Sequence, residues 1–247
     1  PEMREDLADY YDEITRFDTH IGEVLNLLRD EKILDNTIII VMSDNGRPFA
    51  QCKTRVNVQG IKSPFVVYFP KLIAQGTITE SLASAVDIAP TLLEFTGIKC
   101  PPGMQGISLL PILEDNDAEV RNFAFAEHNW HAFKAYERAV ITKDLLYIKN
   151  WLPHLSNPVS GEVMLTPAYA HMLEDFKNGK LRREYQDCFV APRPKEELFE
   201  IKKDIHCLKN VASKRKSRKK LEQLRLVLRT WQESVGDVFP GEFNLKQ

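Results

Sequence analysis

Asp44 and Asn45 are the adjacent pair whose side chains are best suited to chemistry in this sequence. They follow an apolar, β-branched run and stand in the stretch Ser-Asp-Asn-Gly that ends at Gly46. A carboxylate and an amide carbonyl are hard oxygen ligands, which suit Ca²⁺ or Mg²⁺ better than Zn²⁺. Asp-Asn-Gly is also a common turn sequence, so a plain turn is the alternative.

A second candidate cluster is Glu127-His128-Asn129-Trp130-His131. His128 and His131 can hydrogen-bond to a sugar, and an indole ring can stack on one. The alternative is a partly buried turn in which both histidines are structural. A basic run, SKRKSRKK at 213–220, can attract a polyanion, although such a run near a helix start is usually a solvated face.

The four cysteines lie at positions 52, 100, 188 and 207. They form no CxxC pair and have no zinc-site spacing. We expect buried or free thiols, with a disulfide between Cys188 and Cys207 as the alternative.

Residues before about 118 alternate between helical and strand patterns. An amphipathic helix is predicted over 4–30, and a second over 81–96 that kinks or begins near Pro90. The apolar runs 37–42 and 64–69 are typical of strands buried on both faces of a parallel sheet. Ligands bind at the C-terminal ends of such strands, which is where the Asp-Asn pair falls.

The pattern changes near residue 119, so we predict two units, 1–118 and 119–247. The second unit is expected to hold a small antiparallel sheet, a middle helix near 167–178 and a last helix over 214–234. Its predicted strands are 122–127, 137–142, 145–149 and 196–201.

Composition bounds the class of protein. The 247 residues are 43% hydrophobic and 28% charged, as in ordinary globular domains, and the formal net charge is −2. This small net charge gives no overall electrostatic attraction to nucleic acid or to a membrane surface. No apolar run approaches the ~20 residues that span a bilayer.

Motifs along nearly the whole chain resemble the sulfatase family, and they occur in the family's order. The stretch 35–46, DNTIIIVMSDNG, is similar to the strand and loop that carry two metal ligands in that family. The other matching stretches are 10–22, 60–65, 87–97, 106–111 and 196–212. Three further stretches, 44–54, 191–194 and 231–234, resemble the heparan N-sulfatase (sulfamidase) branch.

The resemblance implies the C-terminal part of an alkaline-phosphatase-like α/β sandwich with a mostly parallel sheet, plus a small α+β subdomain with an antiparallel sheet. It implies that Asp44 and Asn45 bind Ca²⁺, with Mg²⁺ as the alternative, and that Lys53 is a catalytic residue contacting the sulfate. Arg55 or Lys62 is the alternative contact. It also implies that the subdomain bearing His128 and His131 leans over the active-site mouth, where both bind substrate.

The family's nucleophile is a formylglycine made from Cys or Ser in a C/S-x-P/A-S-R motif, and no cysteine here fits that motif. We therefore expect the nucleophile and the remaining metal ligands in an N-terminal half of the same enzyme. The expected substrate is a sulfated carbohydrate such as a glycosaminoglycan, and the expected location is periplasmic, lysosomal or secreted.

Two alternatives stay open. One is a phosphoesterase of the same superfamily, although Asn rather than His after Asp44 favours a single hard cation. The other is a non-catalytic module that binds metal or polyanion.

Overall fold

The computed structural model describes residues 2–157 and 159–237. Its first element, α1 (Glu2–Asp30), confirms the long helix expected at the start. Much of its apolar stripe faces outward, because Ile14, Phe17 and Val24 are 45%, 53% and 55% exposed. Within the described residues, no helix is both long and apolar enough to cross a membrane.

Strands β1 (Ile39–Met42) and β2 (Phe65–Tyr68) form a two-stranded sheet. They pair antiparallel, so the predicted parallel arrangement is wrong for this pair. A parallel pair needs a crossover of a dozen or more residues, usually a helix. The connection 43–64 instead holds only the short helix α2 (Val58–Ile61), and the chain turns back along β1.

Burial of these strands on both faces is also not observed. One face packs on α3 (Ile88–Phe95) and α4 (Leu110–Glu114). On the other face Val66 is 58% exposed. A 3₁₀ turn precedes α3, and Pro90 falls in the first turn of the helix, where its missing N–H costs no hydrogen bond.

Four strands form the second sheet, in the order β3 (Ala124–Trp130), β4 (Lys134–Ile141), β5 (Leu145–Asn150) and β6 (Glu196–Glu200). All neighbouring pairs are antiparallel, which confirms the predicted small antiparallel sheet. With the other helices and strands, it gives the α/β fold class that the resemblance implied.

Both faces of this sheet are covered. Helix α7 (Arg218–Val235) buries Leu221, Leu224 and Leu228 against one face. Val56 and Val58, from the 43–64 connection, pack on the other face. The loop that carries Asp44 is therefore joined to the sheet by a shared core. A division of the chain near residue 118 stays a prediction.

Helices α5 (Gly161–Met164) and α6 (Pro167–Lys177) lie between β5 and β6 in the chain. Thr166 caps α6 by accepting a hydrogen bond from the N–H of Tyr169. Asp6 of α1 accepts a hydrogen bond of 2.7 Å from the N–H of Ala168, which holds α1 beside α6. All four cysteines are free, so Cys188 and Cys207 do not pair.

Candidate functional site

The Asp44–Asn45 pair lies at the C-terminal end of β1, as the sequence predicts. Asp44 is exposed and Asn45 is half-buried. The Asn45 side-chain Nδ2 donates to the carbonyl oxygen of Gly46 at 2.8 Å, and Ser43 Oγ donates to the carbonyl oxygen of Asn45 at 2.9 Å. The bond to Gly46 engages the Asn45 side-chain amide through its nitrogen, which leaves the side-chain oxygen as the group suited to a hard cation.

Two glycines hold this loop against α2. The N–H of Gly46 donates to the carbonyl oxygen of Gly60 at 2.9 Å. A Cβ at Gly46 would lie 2.1 Å from the carbonyl oxygen of Gln59, and one at Gly60 would lie 2.2 Å from that of Arg55. Only residues without a Cβ permit this approach, so the position of the Asp-Asn pair depends on both glycines.

Lys53 lies on the same connection, between two residues with left-handed backbone. Gln51 has φ 63° and Thr54 has φ 68°. Such angles are strained for residues other than glycine, and strained residues of this kind cluster at functional sites. Lys53 Nζ makes an ion pair with Glu162 Oε1 at 2.5 Å. The hydrogen bond from Lys53 lowers the pKa of Glu162 to about 2. The Lys53 ammonium group is therefore partly neutralised by Glu162 in this structure.

Arg55, the alternative sulfate contact, is 5% exposed. Its Nη2 donates to the carbonyl oxygen of Asn157 at 2.5 Å and lies 3.2 Å from Asp187 Oδ2. Its Nε and Nη1 are buried without a hydrogen-bond partner among the described residues. Arg55 therefore links the 43–64 connection to Asn157 and Asp187. Lys62 lies on the surface.

The two candidate histidines occupy different environments. His128 lies on β3 opposite Glu137 of β4, with its Nδ1 3.6 Å from Glu137 Oε2 and its side chain 12% exposed. His131 is exposed in the turn between β3 and β4, where its N–H donates to the carbonyl oxygen of Phe133 at 3.3 Å. A substrate-binding role for either stays a prediction.

Glu137 is the centre of a buried charge cluster that the sequence did not reveal. Arg193 Nη1 donates to Glu137 Oε1 at 2.6 Å, and both side chains are under 10% exposed. Burial by itself raises the pKa of Glu137, but His128 and Arg193 together hold it at about 2. The carboxylate is therefore ionised, with Arg193 hydrogen-bonded to Oε1 and the His128 ring 3.6 Å from Oε2.

A cavity of about 930 Å³ opens between this cluster and the Asp44-bearing connection. Arg55, Glu137, Arg193 and Glu197 line it. Burial, and next the charge of Glu137, raise the pKa of Glu197 to about 7. A carboxyl group that titrates near neutrality on a cavity wall can donate or accept a proton there. The sequence predicted a strand over 196–201, but no local motif marked Glu197 as special.

Three of the four free cysteines are in environments that disfavour the reactive thiolate. Burial raises the pKa of Cys52, Cys188 and Cys207, so these thiols stay protonated at neutral pH. Within residues 2–157 and 159–237, no group of three or more His, Cys, Asp or Glu side chains is placed to hold a metal ion.

Comparison with known proteins gives two matching family models. The sulfatase model matches residues 2–98, and that of N-sulphoglucosamine sulphohydrolase, C-terminal, matches residues 53–151. Asp44 and Asn45 fall in the first span, and Lys53 falls in both. The chain belongs to the sulfatase family.

Individual sulfatases align with nearly all of the chain. An ulvan-active sulfatase of Formosa agariphila is 32% identical over 95% of this chain and 39% of its own length. The human N-sulphoglucosamine sulphohydrolase is 28% identical over 96% of this chain and 49% of its own length. The chain therefore spans about two-fifths to one half of the length of these two relatives.

Solved structures confirm the fold. A protein solved with its substrate D-glucosamine-2-N,6-O-disulfate has a TM-score of 0.66 at 22% identity, over 93% of this chain and 41% of that one. A phosphonate monoester hydrolase of Agrobacterium radiobacter has a TM-score of 0.65 at 19% identity, over 92% and 41%. Because sulfatases share this fold with a phosphonate monoester hydrolase, the fold alone does not decide which ester is cleaved.

Proposed function

We propose that this chain supplies the C-terminal part of a sulfatase that hydrolyses sulfate esters or sulfamates on a sulfated sugar of a glycosaminoglycan or a related polysaccharide. The observation that carries the proposal is the loop after β1, which presents Asp44, Asn45 and Lys53 on one short connection inside the matched family spans. A location outside the cytoplasm, in the periplasm, the lysosome or the medium, is part of the same proposal.

The oxygen donors of the loop fit a calcium ion, with magnesium as the alternative. Asp44 offers an exposed carboxylate and Asn45 an amide oxygen. Calcium takes six to eight oxygen ligands, so two donors supply only part of a site. A cation held there would neutralise part of the negative charge of a sulfate group.

Lys53 is proposed to contact the sulfate. An ammonium group close to a leaving sulfate stabilises the charge that develops on oxygen. Glu162 would then compete with the sulfate for Lys53, because their ion pair is formed in the present structure.

The nucleophile is proposed to be a formylglycine, whose hydrate supplies the attacking oxygen, outside the 247 residues. The remaining metal ligands would lie in the same N-terminal half. The outward-facing stripe of α1, with Ile14, Phe17 and Val24 about half exposed, gives that half an apolar surface to cover.

The decisive experiment compares Asp44→Ala with Asp35→Ala in the full-length protein. Asp35 is an exposed carboxylate of the 3₁₀ turn before β1, so its loss removes the same charge nearby. We expect Asp44→Ala to lower kcat/KM for sulfate release by at least ~100-fold, because it removes a metal ligand, and Asp35→Ala to act as wild type. Adding Ca²⁺ after chelation should restore the wild type but not Asp44→Ala.

The substrate assay uses N-sulfoglucosamine and 6-O-sulfo-N-acetylglucosamine, with a phosphonate monoester as the third compound. Preference for the N-sulfo sugar supports the sulfamidase branch, and preference for the O-sulfo sugar supports another sulfatase branch. A higher kcat/KM for the phosphonate would support a phosphoesterase. Full activity of Asp44→Ala would show that the loop is not the metal site, and no turnover of any of the three by the wild type would favour a non-catalytic module.

A further inference from the structure

A second cavity, of about 730 Å³, lies between α7 and the ends of β5 and β6. We call it the α7 groove, lined in part by Lys149, Lys195, Glu196, Arg225 and Arg229. It faces away from the candidate site, because α7 covers one face of the four-stranded sheet and the Asp44-bearing connection covers the other. Nothing in the proposed sulfatase chemistry uses it.

The charge of the α7 groove is opposite to that of the chain. Four lining residues are Lys or Arg, and Glu196 is the single lining carboxylate, which leaves an excess of three positive charges. The whole chain has a formal net charge of −2. The positive charge is therefore concentrated locally, as expected for a surface that binds an anionic ligand.

Of the four cationic residues that line the groove, Arg225 is already neutralised by Glu196. Arg225 Nε donates to Glu196 Oε1 at 2.7 Å while its Nη2 donates to Glu196 Oε2, and Tyr147 OH also donates to Glu196 Oε1. These hydrogen bonds from Arg225 and Tyr147 lower the pKa of Glu196. The pair joins α7 to β6 and leaves the other three cations available to a ligand.

Those three cations come from three different segments. Lys149 is on β5 with its Nζ 4.7 Å from the ring centre of Trp151, Lys195 precedes β6, and Arg229 is on α7. Lys195 and Arg229 are exposed. In the described part of the chain, none of the three forms an ion pair with a carboxylate. Cations spread around a cavity of ligand size suit a molecule with several anionic groups better than a single phosphate.

We propose that the α7 groove binds a segment of an acidic polysaccharide, with Lys149, Lys195 and Arg229 contacting its sulfate or carboxylate groups. The excess of positive charge in the groove indicates an anionic ligand, and the choice of a polysaccharide rests on the proposed function. A nucleic acid fits less well, because base stacking needs an open aromatic face. The Trp151 ring instead lies under Lys149 and meets the Tyr136 ring at 5.3 Å.

The test measures binding of a fluorescein-labelled heparin octasaccharide to the full-length protein by fluorescence anisotropy. The groove variant is Lys149→Gln/Arg229→Gln. The matched control, Lys216→Gln/Lys219→Gln, removes the same two charges from the exposed basic run outside the groove. We expect the groove variant to bind about tenfold more weakly and the control within about twofold of wild type. Affinity of the wild type should fall as salt rises.

Binding is measured without turnover, so its outcome does not depend on sulfatase activity. Repeating it in the Asp44→Ala background should leave the difference between the two double variants unchanged. Equal affinity of the groove variant and the wild type would overturn the proposal, as would an equal loss in both double variants. Equally tight binding of a labelled oligodeoxythymidylate would overturn the polysaccharide assignment.

Discussion

Glu137 shows how a single buried residue can link sheet stability to pH. Its pKa of about 2 lies below the ordinary 4.5, because His128 and Arg193 favour the ionised form over the effect of burial. The ionised pair therefore stabilises the folded state fully above pH 4.5, and the contribution is lost as pH falls toward 2.

We predict that Glu137→Gln lowers the free energy of unfolding by about 3 kcal/mol at pH 7, because it leaves the Arg193 guanidinium buried without its carboxylate. The difference from wild type should shrink as pH falls from 4.5 to 2. Urea unfolding followed by circular dichroism at several pH values measures the loss at pH 7 and its dependence on pH. Glu114→Gln, at an exposed carboxylate at the end of α4, is the control. A difference that stays constant down to pH 2 would contradict the paired, ionised state of Glu137.

At the scale of elements, the tight contact between the loop after β1 and α2 sets the position of the candidate metal ligands. We predict that Gly46→Ala lowers the free energy of unfolding by about 1–3 kcal/mol, because the new Cβ meets the Gln59 carbonyl oxygen at 2.1 Å. Sulfatase activity should fall more steeply, since Asp44 and Asn45 must shift with the loop.

Gly22→Ala is the matched control for this substitution. Gly22 lies within α1 with open space around it, so alanine should raise stability slightly, by up to ~1 kcal/mol. Thermal melts of both variants and kcat/KM for sulfate release make the comparison. Unchanged activity in Gly46→Ala would mean that the loop tolerates the shift and does not position the reaction.

Most elements were predictable from local pattern, and their pairing was not. The 3.6-residue spacing of apolar side chains gave α1 and α7, and β-branched runs gave β1 and β2. The same runs suggested a parallel sheet, because apolar continuity reports burial but not strand direction. Direction depends on the path of the chain between the strands, and that path follows the packing of residues 43–64 on a distant sheet.

The candidate site also has a part that local sequence indicates and a part that only the fold reveals. Asp44, Asn45 and Lys53 are close in sequence, so the motif around Asp44 and the family resemblance were enough to propose them. The cluster of Glu137, Arg193 and their neighbours joins residues 56 positions apart, and no local spacing reveals such contacts. The α7 groove was missed for the same reason, because its cations come from segments that only the fold brings together.

At the scale of the whole molecule, the apolar stripe of α1 governs association. We predict that the 247-residue chain alone self-associates at micromolar concentration and binds a hydrophobic dye, because Phe17 and Val24 are more than half exposed. Phe17→Gln/Val24→Gln should reduce both, measured by sedimentation velocity and dye fluorescence. Leu226→Gln, which removes a similarly exposed side chain from α7, is the control.

In the full-length protein, Phe17→Gln/Val24→Gln should lower the melting temperature by several degrees if the N-terminal half covers the stripe. A chain that is monomeric and free of dye, or a full-length double variant that melts as wild type, would contradict the stripe as the surface where the two halves meet.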